Sequence, residues 1–290
     1  MSATAGKTLA QAKINLFLRV LGKEQDGFHS IETLFLRLDL VDDVTVRATD
    51  LGRRIDCEGL TGVPPEKNLA FRAAAAFAEA TGWPRGFSIE ISKRIPAGAG
   101  LGGGSADAAA VLRILNAIAP EPVRNEELLD LARQLGSDIP FLTSSAAMAL
   151  AWGRGERMLA LEPLSRKPVL IAIPDFQVST ADAYAALDRA GTMVSSASFS
   201  AISDVNSWQG VAAASRNDFE GVIGAEHPEI PRLISTLKLA GAQISRMTGS
   251  GSAVFAIFDD LPKALPMMNS KVNLLTALTA SSVVPVTVLD

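Results

Sequence analysis

The stretch "IPAGAGLGGGSADAAAVLRILNAI", residues 95–118, places glycine at five of the seven positions from 98 to 104 and then runs into small and apolar residues. Glycine reaches backbone conformations that a Cβ forbids and lets other groups approach the main chain closely. Residues 105–118 are dominated by alanine, leucine, isoleucine and valine, and predict a buried helix. The first N–H groups of a helix have no internal partner, and its dipole favours negative charge at that end. A glycine run entering a helix therefore predicts a phosphate cradle. Ser105 adds a hydroxyl that can reach phosphate or Mg2+. One or two glycines would serve an ordinary strand-to-helix turn; five, followed by Ser105 and Ala106, point to a phosphate.

Two common phosphate motifs do not fit. "GAGLGG" satisfies G-x-G-x-x-G, but the dinucleotide fingerprint needs a strand after the helix with an acidic residue about 20 positions on. Glu121 falls near that distance, in a proline-flanked link between two predicted helices. No Gly-Lys-Ser/Thr ends the run, so the Walker pattern is missing too.

Working outward, "AKINLFLRVLG" (12–22) has apolar side chains at period two and predicts a strand, as do "DVTVRAT" (43–49) and "FSIEISKRI" (87–95). "NLAFRAAAAFAEATG" predicts a helix stopped by Gly82, and "RNEELLDLARQLG" an amphipathic helix closed by Gly136. "AMALAWGRGERMLAL" predicts a hairpin turning at Gly153 to Gly155. A charged link then leads into the apolar "PVLIAIPD", which sets a domain boundary near 163, giving an N-terminal domain at 1–162 and a second domain at 163–290. Beyond the boundary come helices at 180–189 and near 228–240, a serine-rich loop at 195–207, a glycine turn and strand in "RMTGSGSAVFAIFDD", and a closing strand in "VPVTVLD". Residues 259–290 carry no motif and predict packing only. Strands and helices mix without strict alternation, so the fold class is α+β.

Composition narrows the function. The 290 residues carry 27 basic and 31 acidic side chains, a net charge of -4, with no basic stripe of the kind nucleic acid requires. One cysteine, Cys57, cannot form an internal disulfide, and with only His29 and His227 a zinc site is not expected. Residues 1–13 lack the apolar core of a signal peptide, and no apolar run reaches the ~18 residues of a membrane span. The expectation is a cytoplasmic protein with no nucleic-acid partner and no membrane partner.

"PAGAGLGGGSADAA" at 96–109 resembles the phosphate loop of the GHMP kinases. "AKINLFLRVLGKEQDGFHSIETLF" near the N-terminus, "LGSDIPFL" at 135–142 and "MTGSGSAVFAIF" at 247–258 resemble that family's other motifs in order, across residues 9–258. The N-terminal segment resembles in particular the members that act on 4-diphosphocytidyl-2-C-methyl-D-erythritol; kinases of mevalonate, homoserine or sugars share the loop. The resemblance implies a ribosomal-S5-like N-terminal domain, a ferredoxin-like C-terminal domain, and ATP-dependent phosphorylation of the 2-hydroxyl of that cytidine diphosphate-linked alcohol in the non-mevalonate isoprenoid pathway, with Mg2+.

The resemblance also assigns roles. Asp138 aligns with the catalytic aspartate, where a carboxylate accepts or orients the proton of the attacking hydroxyl; locally it also stands where a helix cap would. Lys13 aligns with an N-terminal lysine that stabilises charge in the transition state, and Asn15, on the same strand face, is expected to bind substrate. ATP is expected on Pro96, Ala97, Gly98, Ala99, Gly100, Leu101, Gly102, Gly103, Gly104, Ser105 and Ala106, with Asn68, Leu69 and Lys93 at the base; Asn68 also reads as a helix cap. Phe28 and His29 align with a Tyr-His pair around the cytosine, Phe28 keeping the stacking face and losing the hydroxyl. Thr180 aligns with a substrate-side threonine and is equally placed to cap the helix at 181. Gly249 and Gly251 are expected to bring backbone close to the site. A regulator that binds nucleotide without catalysis would share the loop; the retained Lys13 and Asp138 argue against it.

Overall fold

Buried side chains carry the first strand further in both directions than the period-two run predicts: β1 spans Ala5–Lys23. Its central residues are buried on both faces, the pattern of a strand covered on two sides rather than one. The computed structural model describes residues 4–60, 62–191, 205–262 and 271–289. β1 pairs antiparallel with β2 (His29–Thr49), which takes up the expected strand at 43–49 as its second half. The ladder shifts register between Gln11 and Lys13 and again between Asn15 and Phe17. Such bulges re-aim side chains, and here they bracket Lys13 and Asn15.

The rest of the first layer follows from short signals. β3 (Arg53–Glu58) pairs parallel with β4 (Gly86–Ser92), which pairs with β2. α1 (Leu69–Thr81) begins at Asn68, whose side chain accepts from Ala70 N–H at 2.9 Å, and ends at Gly82 in the left-handed conformation. α2 (Gly103–Ile118) starts two residues earlier than the apolar pattern indicates and packs on α1 and β1. α3 (Asn125–Leu135) leads into the short α4 (Ile139–Thr143). The predicted hairpin forms as β5 (Met148–Gly153) and β6 (Arg157–Leu161), β5 lying against the first half of β2.

The second layer contains β7 (Pro168–Pro174), α5 (Thr180–Ala190), α6 (Trp208–Ala214), α7 (Phe219–Glu226), α8 (Glu229–Leu239), β8 (Ile244–Met247), β9 (Val254–Ile257) and β10 (Val272–Leu278). Its four strands pair antiparallel in the order β10-β7-β9-β8, the first between the fourth and the third. That strand order, with α5, α7 and α8 packed on the face of Leu170, Ala172, Val254 and Ala256, is the ferredoxin-like pattern. Of the serine-rich loop, residues 195–204 lie outside the described residues. Leu18, Val20 and Ile31 of the first sheet join Leu170, Phe219 and Met247 of the second layer in one apolar cluster.

The boundary near 163 falls between β6 and β7, but 163–290 is not one unit. β11 (Thr287–Leu289) returns to pair with the start of β1. On the way, Ala280 N–H donates to Arg37 O, and Thr8 Oγ1 and Gln11 Nε2 donate to the carbonyls of Pro285 and Ser282. β11 is the closing strand expected in "VPVTVLD", and its pairing hides the open edge of β1.

Candidate active site

The two layers leave a cleft of about 950 Å³, and four of the sequence motifs meet on its wall. The phosphate loop forms one side, through Pro96, Gly98, Ala99, Gly100, Leu101, Gly102, Gly103, Gly104 and Ser105. The loop is held from both layers. Lys13 N–H of β1 donates to Leu101 O at 2.9 Å, Ala253 N–H to Ala99 O at 3.2 Å, and Thr248 Oγ1 to Gly100 O at 3.3 Å.

Two of the glycines are sterically required. A Cβ on Gly100, at φ +81°, would lie 2.2 Å from Thr248 O; one on Gly102, at φ +72°, would lie 2.9 Å from Lys13 Cγ. Gly102 caps α2 without any side-chain hydrogen bond, and the first turn bonds only from Ala106 N–H to Gly102 O at 2.8 Å. The amides of Gly103, Gly104 and Ser105 thus have no acceptor within the helix, and they open on the cleft. This is an anion cradle in geometry as well as in sequence.

Against the loop stands a cation–carboxylate pair. Lys13 is 3% exposed; its Nζ lies 2.7 Å from Asn15 Oδ1 and 3.3 Å from Asp138 Oδ2. Asp138 occupies the cap position of α4 yet makes no capping hydrogen bond, so its carboxylate is left to Lys13 and the cleft. The cation also sits 5.6 Å from the Phe35 ring centroid. α4 is pinned from behind by the fully buried Arg37, whose guanidinium donates to the carbonyls of Phe141, Ser144 and Ala146 and lies over the Phe141 ring. Burial pulls Arg37 down to about 9, with Arg113 nearby adding to the shift, which leaves it cationic near neutrality.

The far end of the cleft is aromatic. His29 stacks on Tyr184, centroids 4.6 Å apart, and its Nε2 lies 2.8 Å from Asp188 Oδ1. Lys23 and His29 hold the Asp188 carboxyl below its ordinary range. Burial, with Asp138 adding a smaller effect, pushes the Tyr184 hydroxyl up to about 12, so it stays protonated. Phe28 is exposed, with the Arg154 guanidinium 4.1 Å over its ring, and Arg154 in turn pairs with Glu24 and Asp26. An exposed aromatic face beside buried ones is a stacking surface for a planar ring.

Sixteen of the twenty predicted site residues line the cleft, and four do not. Ala97 and Ala106 back the loop, and Asn68 caps α1 beside the lining residue Leu69. Lys93 departs furthest from expectation. Its Nζ is bonded to Asp42 at 2.5 Å and to Asp107 at 2.6 Å, underneath the first turn of α2. Asp42 also accepts from the amides of Arg94 and Ile95. The Lys93 charge therefore anchors the base of the loop, because two buried carboxylates claim it. Burial opposes that charge, but Asp107 and Asp42 outweigh it and raise the ammonium above its usual value. Thr180 is not the helix cap: Ser179 accepts from Asp182 N–H, and Thr180 Oγ1 faces Ser250 Oγ at 3.1 Å on the cleft wall.

The sequence reading missed Tyr184, Asp188, Arg154 and Thr248. Thr180, Tyr184 and Asp188 recur every fourth residue along α5 and share one helix face, and Tyr184 is the chain's one tyrosine; that spacing was the available signal. Among the described residues no cluster of three His, Cys, Asp or Glu could hold a metal ion. The Ser105 hydroxyl and the Asp138 carboxylate both belong to the cleft wall. No described helix is long and apolar enough to cross a membrane.

Comparison with known proteins gives a consistent result. The family model for the GHMP kinases N terminal domain matches residues 68–144, and that for the GHMP kinases C terminal matches 198–270. A 4-diphosphocytidyl-2-C-methyl-D-erythritol kinase of Geobacter sp. is 40% identical over 257 residues, covering 87% of this chain and 89% of the relative. One from Clostridium botulinum is 37% identical, covering 88% and 91%. A crystal structure of 4-(cytidine 5'-diphospho)-2C-methyl-D-erythritol kinase matches with a TM-score of 0.72 at 36% identity, over 87% of this chain and 89% of the other. A homoserine kinase from Cytophaga hutchinsonii, at 17% identity and a TM-score of 0.68 over 98% and 97% of the two chains, shares the fold.

Proposed function

The chain belongs to the GHMP kinases, and from that premise we infer how its cleft works as a 4-diphosphocytidyl-2-C-methyl-D-erythritol kinase. It transfers a phosphoryl group from ATP to an alcohol of that substrate. The acceptor in this reading is the 2-hydroxyl, and the observation that carries the reading is the Lys13–Asp138 pair lining the same cleft as the glycine-rich start of α2.

The amides of Gly103, Gly104 and Ser105, with the α2 dipole behind them, hold the ATP phosphates. Mg2+, if bound with ATP, would offset phosphate charge, and the Ser105 hydroxyl is the loop side chain that would meet it. Asp138 orients the substrate hydroxyl and accepts its proton as the oxygen attacks the γ-phosphorus and ADP leaves. Lys13 stabilises the negative charge gathering on the transferred group, and Asn15 holds that ammonium in place. Phe28 and His29 receive the cytosine by stacking and by a ring nitrogen, Thr180 contacts the substrate side, and Leu69 bounds the nucleotide base.

The direct test is ADP release with ATP and Mg2+, comparing 4-diphosphocytidyl-2-C-methyl-D-erythritol with mevalonate, homoserine and galactose. Turnover confined to the cytidine-linked alcohol supports the reading. Turnover with another of the four keeps the phosphate cradle and overturns the assignment of Phe28 and His29.

A further inference from the structure

Thr33 is fully buried on β2, is given no role by the motif that contains it, and touches the site at one point. Its Oγ1 donates to Phe17 O at 2.8 Å and accepts from Asn15 Nδ2 at 2.8 Å. Asn15 Oδ1 in turn receives Lys13 Nζ at 2.7 Å, Gly249 N–H at 3.0 Å and Thr248 Oγ1 at 3.3 Å.

The direction of each bond in this chain is fixed by chemistry. A carbonyl cannot donate, so the single Thr33 hydroxyl proton goes to Phe17 O and the oxygen presents a lone pair to Asn15. An ammonium and a backbone N–H cannot accept, so they require the oxygen end of the Asn15 amide. Only one orientation of that amide satisfies both sides. The bulge between Asn15 and Phe17 makes this possible by bringing Phe17 O and the Asn15 side chain to the same hydroxyl.

We propose that Thr33 is a positioning residue for phosphoryl transfer: its lone pair locks the Asn15 amide, and the locked amide holds the Lys13 ammonium against Asp138. The proposal rests on the reading of Lys13 and Asp138 given above. Removing the lone pair leaves the buried Asn15 NH2 without its acceptor, and the side chain that anchors Lys13 is released to find another. The ammonium then loses its fixed place beside the reacting oxygens, which affects the chemical step more than substrate binding.

The test uses Thr33→Val, which keeps the shape and removes the lone pair, Thr33→Ser, which keeps the lone pair, and both Asn15→Ala and the double variant. Turnover of the wild-type enzyme, measured first, reports on the underlying reading separately. Thr33→Val is expected to lower kcat about tenfold, the scale of one orphaned buried donor, with KM for both substrates within about twofold. Thr33→Ser is expected to restore kcat, and Thr33→Val to add nothing in the Asn15→Ala background, since coupled residues do not act additively. A readout that needs no turnover is hydrogen exchange of the Asn15 side-chain amide by NMR, slow in the wild type and fast in Thr33→Val. Equal losses from Thr33→Val with and without Asn15, failure of Thr33→Ser to rescue, or unchanged Asn15 exchange overturns the proposal.

Discussion

Lys13 Nζ lies 3.3 Å from Asp138 Oδ2, joining the first strand of the chain to the cap of the five-residue α4. The lysine is 3% exposed and the aspartate's side chain 29% exposed, so the pair has one buried partner and one facing the cleft. A cation held dry beside an accessible carboxylate suits charge stabilisation next to proton transfer.

Asp138→Asn keeps the size and removes the basic oxygen. Turnover is expected to fall by roughly 10²-fold or more, the usual contribution of a positioned general base, while KM for ATP stays near the wild-type value. Steady-state kinetics with both substrates checks this, and unchanged kcat removes Asp138 from the base role.

Lys13→Met separates catalysis from folding. Replacing a buried charge by an apolar side chain of similar length is often neutral for stability, and the Asp138 carboxylate left behind reaches water. The melting temperature is expected to stay within a few degrees while kcat falls by roughly 10²-fold or more, the scale of one lost transition-state donor. Thermal unfolding and kinetics on the same preparation distinguish this from a stability defect.

Gly100→Ala meets the backbone rather than a yielding side chain: the added Cβ would lie 2.2 Å from Thr248 O, at a φ of +81°. The loop must move away from β8 and the following turn, so ATP binding is expected to weaken at least tenfold, a cost of about 1–3 kcal/mol for strain at such a position. Calorimetric titration with a non-hydrolysable ATP analogue measures it. An unchanged Kd would show that the loop's seat on Thr248 is unimportant for nucleotide.

The buried Lys93 cluster makes a pH prediction. Burial pushes the Asp107 carboxyl from 3.8 up to about 7, Lys93 working against the shift and Asp42 with it. Between those values the folded protein keeps a proton that the unfolded chain has released. That contribution is full below the unfolded pKa and is lost as pH rises through the folded one. Stability is expected to decline from about pH 4 to about pH 7, with a limiting slope from this group of about 1.4 kcal/mol per unit. Asp107→Asn, which cannot titrate, flattens the decline; equal slopes in denaturant titrations of the two proteins contradict it.

Much of this was legible in the sequence because the signals were local. The glycine run, the caps at Asn68 and Gly82 and the hairpin at Gly153 to Gly155 each depend on a few adjacent residues. The motif resemblance carried Lys13 and Asp138, which no local pattern brings together. Lys93 could not be read because its partners Asp42 and Asp107 come from β2 and α2, and a surface lysine looks the same in sequence as one bridging two buried carboxylates. The closing strand in "VPVTVLD" was legible and forms as β11, but its partner was not, because pairing with β1 joins residues from opposite ends of the chain. Tyr184 was available in principle from its spacing with Thr180 and Asp188, but a helix face declares a function only once something lies opposite, and here that is His29.

The most direct test is the product itself. After incubation with ATP, Mg2+ and 4-diphosphocytidyl-2-C-methyl-D-erythritol labelled with 13C at C2, phosphorus NMR is expected to show one new phosphomonoester coupled to that carbon, formed in step with ADP. Phosphate on another carbon, or inorganic phosphate alone, would contradict the claim that the Lys13–Asp138 pair directs the phosphoryl group to the 2-hydroxyl.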